Sequence, residues 1–181
     1  MRLIKNLEKR NEWFNSLSKK EKRIEICKDL IKQLKAKKFQ ALTGSYFSAD
    51  SDEKLRKDDS LQELIENGTL HCEGCHKAGL FYSAIRLRNK VTVKGYDVKD
   101  CSLDYYNDNT RIVRSLADIF TRKQLDLMEV AFEYDMNMNC ENLVRKNRIK
   151  AADFGRMYEN DDDRMIAICK NIIKNEGLFK L

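Results

Sequence analysis

The densest run of reactive side chains is His71-Cys-Glu-Gly-Cys-His76. It contains Cys-x-x-Cys-His, the spacing that attaches c-type haem. That attachment belongs to exported chains, and Met1–Arg10 lacks the uninterrupted apolar core of an export signal. As thiolates, Cys72 and Cys75 would supply half of a tetrahedral zinc site, with His71 or His76 as a further ligand. The other half is missing: Cys101, Cys140 and Cys169 lie far apart, with no second Cys-x-x-Cys and no His-x-x-x-His. A thioredoxin-like dithiol would need a facing cis-proline, and the chain has no proline. A nucleophilic Cys75 at a helix start would need a base from elsewhere, yet the only two histidines flank the cysteines themselves. Asp135-Met-Asn-Met-Asn139 begins like a calcium loop, but Cys140 holds the glycine position and Lys146 the place of the bidentate glutamate. The expectation is therefore no catalytic residue, no metal and no cofactor. The alternative is a zinc-binding or cysteine-dependent protein centred on Cys72 and Cys75, with His71.

Charge points elsewhere. The net charge is +6, yet residues 1–40 carry 13 Lys or Arg against 5 Asp or Glu, a net of +8. Most of these cations fall in one expected helix. A basic helix face can track phosphates, because each neutralised phosphate releases a counterion. Lys22, Lys32, Lys35 and Lys38 are the candidate macromolecule-binding residues. The partner they imply is a macromolecule with an acidic surface, either a host protein or nucleic acid.

The elements that must hold these groups read mainly as helices. Ser18-Lys-Lys-Glu21 is a capping box that opens a helix over about 18–38, with Ile24, Cys27, Leu30, Ile31 and Leu34 as its apolar stripe. Residues 1–17, with Trp13 and Phe14, are expected as an arm or short helix. Residues 49–60 are charged and serine-bearing and are expected as a mobile loop. Further helices are expected over 61–67, ending at Gly68, and over 73–88, where Gly79 would allow a close helix crossing. Thr110 would cap a helix through Leu116 and Phe120, and Thr121-Arg-Lys-Gln124 opens the next. Residues 139–148 and 151–158 read as two shorter helices. Asp161-Asp-Asp163 would cap a final helix through Ile168, Ile172 and Ile173, with the acids at the positive end of its dipole. The fold class is all-α, a single helical domain over 18–181 with a minor extended element near 41–48 and 90–94.

Four segments resemble a group of uncharacterised proteins from phages, prophages and plasmid-bearing bacteria. They are Ile26–Phe47, Cys72–Phe81, Phe120–Glu133, and Phe154–Tyr158 followed by Arg164–Ile173 and Gly177–Phe179. His76 stands where that group tends to have alanine. The resemblance implies a mobile-element setting and carries no activity with it.

The length of 181 residues with 42% hydrophobic content suffices for one core, and no run of 18 apolar residues exists to span a membrane. Six cysteines without an export signal are expected as reduced thiols in a cytoplasm. Taken together, the residues lead to the expectation of a non-enzymatic intracellular protein of a phage or mobile element that acts by binding a macromolecule.

Overall fold

The structure, a computed structural model, describes residues 2–45, 47–51, 54–56, 58–88, 97–99, 102–104, 114–135, 140 and 142–181. It is mostly helical. The helices are α1 (Arg2–Ser16), α2 (Lys19–Lys35), α3 (Leu61–Glu66), α4 (His76–Arg88), α5 (Arg122–Glu133), α6 (Arg145–Arg156) and α7 (Asp161–Lys174). The strands are β1 (Phe39–Ala41), β2 (Phe47–Ser51), β3 (Leu70–Gly74), β4 (Asp97–Lys99) and β5 (Ser102–Asp104).

The all-α expectation holds in outline, but its minor extended element is larger than expected, because these strands form one five-stranded sheet in the order β1-β3-β2-β5-β4. Strand β1 pairs parallel to β3, with Phe39 opposite Cys72, and the remaining pairs are antiparallel. The expected mobile loop is corrected at its start, since residues 49–51 belong to β2. Leu55 within it is buried, and Ser60 at its end accepts the Glu63 amide as the N-cap of α3. The extended element expected near 90–94 lies outside the described residues, as do Thr110 and Asn139.

Helix α4 occupies the centre. Every residue from His76 to Leu87 is buried, so it carries no solvent face. The inward side of the sheet packs on it: Phe47 meets Phe81 edge-on at 5.6 Å between ring centroids, and Phe39 meets Tyr82 at 5.1 Å. Helices α2 and α7 lie against its other side. A Cβ at Gly79 would stand 2.9 Å from the Met165 sulfur and 3.0 Å from Leu30, so this glycine sets the close approach of the three helices. Helix α4 begins three residues later than expected, because Glu73 and Gly74 complete β3. The helices expected at 139–148 and 151–158 form one helix, α6, whose Gly155 lies against the Ala131 carbonyl of α5. On α1, Leu7 and Phe14 are buried, and Arg10 joins Glu66 of α3 at 2.8 Å.

Two buried arginines are paired across elements. Arg86 of α4 reaches Asp29 of α2 at 3.1 Å and Glu66 of α3 at 2.7 Å. Arg164 of α7 donates to the carbonyls of Gly155 and Tyr158, to Thr43 Oγ1 and to Asp161 at 2.6 Å. Its guanidinium also lies 4.5 Å from the Tyr134 ring centroid. A buried cation with donors filled in this way avoids the heavy cost of an unpaired charge.

Candidate functional site

Helix α2 presents the lysines. Its capping box forms as the sequence predicts: the Glu21 amide donates to Ser18 Oγ, and Glu21 accepts the Ser18 amide at 2.8 Å. The buried side is Ile26, Cys27, Leu30, Gln33 and Leu34, while Ile24 and Ile31 are only half-buried. The stripe is thus rotated from the one read in the sequence. This rotation separates the four candidate lysines. Lys22 is half-buried; it donates to the Asn15 carbonyl at 3.1 Å and lies 5.9 Å from the Phe14 ring centroid, turned toward α1. At 100° per residue it stands about 80° and 140° around the helix from Lys32 and Lys35. Lys32, Lys35 and Lys38 are exposed. Lys28, which the sequence reading left out, is exposed on the Lys32 and Lys35 side and pairs with Glu25 at 2.7 Å.

The helix ends at Lys35, three residues before the expected end. Lys38 donates its amide to Gln33 O and Lys37 donates to Leu34 O, the paired bonds of a Schellman cap. The left-handed position of that cap, usually glycine, is Lys37 with φ 54°. Its ammonium joins Asp162 at 2.7 Å, and that pair pushes the Lys37 ammonium pKa upward. Positive charge at a helix C-terminus is also favoured by the dipole.

Beside this end a crevice of about 360 Å³ opens between the starts of β1 and β3. Lys37 and Lys38 form one rim; Asp50, His71 and Glu73 project from the sheet's outer surface along another. Asp50 stands opposite His71, and Glu73 stands between Gln40 and Ser48 in the cross-strand register. Lys38 and His71 therefore line the same crevice, which spacing alone did not suggest.

The cysteines do not follow them. Alternation along β3 turns Cys72 into the core and His71 outward. Burial, and Asp50 nearby, push the Cys72 thiol pKa well up. Cys75 is also buried, and burial and the Glu129 carboxylate raise its pKa as well. Among the described residues no group of three His, Cys, Asp or Glu side chains is placed to hold a metal ion.

Sequence reading missed a different cluster. His76 is wholly buried, with Nε2 3.9 Å from the Cys169 sulfur, and Cys169 is hydrogen-bonded to Cys27. Burial pushes the Cys169 thiol pKa up, but the bonds from Cys27 and His76 outweigh burial and hold it below the usual thiol value. Three elements, α2, α4 and α7, bring these groups together across up to 142 positions of chain, so no local motif could have announced them.

Asp161 and Asp162 also do more than cap. Asn160 is the N-cap of α7, accepting the Asp163 amide at 2.7 Å. Asp161 instead accepts the Thr43 amide at 2.7 Å, and Asp162 accepts the Ala41 amide at 3.1 Å. Together they close the outer edge of β1, which would otherwise offer free strand hydrogen bonds. No family model, no curated protein and no solved structure matches the chain.

Proposed function

We propose that this protein acts by binding a macromolecule with an acidic surface, without catalysis, as a component of a phage or mobile element. The observation that carries the reading is the row of exposed lysines on α2, Lys28, Lys32 and Lys35, continued by Lys37 and Lys38 beyond the helix end. Among the described residues no ion pair takes Lys32, Lys35 or Lys38, so their charge is available to a partner. The burial of Cys72 and Cys75 supports a binding role over a cysteine-dependent one, since a reacting thiol must meet its substrate.

The test is retention on immobilised duplex DNA and on immobilised polyglutamate across a salt gradient. The parent should be held on at least one of them at low salt. The Lys32→Gln, Lys35→Gln, Lys38→Gln triple variant should elute earlier. On DNA its log–log salt slope should be lower by roughly one for each phosphate it no longer neutralises. Its melting temperature should stay near the parent's, because exposed charges add little to folding. Lys22→Gln should elute with the parent, since Lys22 faces α1. Co-elution of the triple variant with the parent would sink the proposal.

A further inference from the structure

The crevice beside the lysine row has features that a flat electrostatic patch does not need. Its volume of about 360 Å³ lies near the lower end for small-ligand sites, roughly 300–1,000 Å³, and suits one small ligand. Its rims carry opposite signs. Lys37 and Lys38 face it from the end of α2, while Asp50 and Glu73 face it from the sheet. Asp50 and Glu73 are diagonal cross-strand neighbours, their backbones about 7–8 Å apart. Gln40 and Gly68 also line the crevice, whereas Ile65 and Tyr82 are almost wholly buried. A ligand that satisfies both rims needs an anion at one end and hydrogen-bond donors at the other.

We propose that the crevice seats one unpaired nucleotide of a single-stranded nucleic acid, with its phosphate at Lys38 and an amino-bearing base edge toward Asp50 and Glu73. The inference rests on the macromolecule-binding reading and narrows its partner. Lys28, Lys32 and Lys35 extend the cationic rim along α2 for about 10 Å, enough to follow the neighbouring phosphates of the same strand. A duplex would present its bases stacked inside, out of reach of a crevice at a sheet edge. An acidic protein would meet the lysines but leave Asp50 and Glu73 facing like charge.

Cytosine and thymine separate the parts of this proposal. Both are pyrimidines, but cytosine offers an exocyclic amino donor where thymine offers an acceptor. Fluorescence anisotropy with labelled twelve-residue oligo-dC and oligo-dT should show tighter binding of oligo-dC by about fivefold or more. An Asp50→Val, Glu73→Val variant keeps strand-forming residues but removes both acceptors. It should lose the preference, whatever its overall affinity. Lys32→Gln with Lys35→Gln should weaken both oligonucleotides and keep their ratio. On the unaltered protein, dCMP should shift the amide resonances of Gln40, Asp50 and Glu73 more than dTMP does, a readout that needs no variant to fold. Equal binding of the two oligonucleotides, with no shift of those amides, would overturn the crevice assignment while leaving the lysine row as a binding surface. Binding of neither oligonucleotide, with retention on polyglutamate, would overturn the nucleotide assignment and assign the lysines to an acidic protein. Binding of neither, with no retention on any acidic surface, would remove both.

Discussion

Glu133 shows how one buried side chain ties stability to pH. Burial, then the negative charge of Glu129 one turn earlier, push its pKa from the ordinary 4.5 to about 7; Asp161 adds to this, while the Gly44 amide and Arg164 oppose it. The folded protein thus holds this proton more tightly than the unfolded chain. Its contribution to stability is complete below about pH 4.5 and is lost as pH rises through about 7. Glu133→Gln keeps an acceptor for the Gly44 amide, which now donates to Oε2 at 2.8 Å. The variant should therefore lose less stability than the parent between pH 5 and 8, by about 1–2 kcal/mol, a figure discounted because solvent reaches the carboxylate. Urea unfolding at the two pH values measures it, and parallel losses in both proteins would mean that Glu133 does not carry this proton. Glu129 beside it is buried, with its Oε2 unpartnered.

Helices were legible where their local chemistry is self-contained. Ser18 with Glu21 and Thr121 with Gln124 place two helix starts from four residues each, and the structure keeps both caps. The strands were legible only in part, as the extended piece near 41–48, because they lack the usual marks. Phe39-Gln-Ala, Phe47-Ser-Ala-Asp-Ser and Leu70-His-Cys-Glu-Gly contain no valine, isoleucine or threonine, and the alternation that defines them spans only three to five residues. The site was half legible for the same reason: the lysine-rich helix could be read, but the crevice needs β1 and β3 side by side. Close helix contacts give a sharper test. At Gly79 an added Cβ meets side-chain atoms only, the Met165 sulfur and the two Leu30 methyls, whereas at Gly155 it would overlap the Ala131 backbone carbonyl oxygen. Gly79→Ala should cost about 1–2 kcal/mol as Met165 and Leu30 shift. Gly155→Ala should cost about 3 kcal/mol or more, since α5 and α6 must part. Chemical denaturation of the two variants compares them directly, and equal costs would contradict the α5–α6 contact.

At the scale of the whole molecule, burial governs thiol chemistry. Cys27, Cys72, Cys75, Cys140 and Cys169 are all free and buried, and Cys101 lies outside the described residues. A thiol reagent such as dithionitrobenzoate should react slowly with five of the six in the native protein and promptly with all six after denaturation without reductant. A denatured count of four or fewer would mean that disulfides form. The closure of the β1 edge bears on how the protein is made. The carboxylate that covers the Ala41 amide arrives 121 residues later, at Asp162. A ribosome adding 5–20 residues per second needs roughly 6–24 s to cover that distance. Throughout that interval β1 can find its partner β3 but not its cover. The nascent chain therefore depends on rapid docking of α7, or on a chaperone, to keep an open strand from recruiting its neighbours on the same polysome.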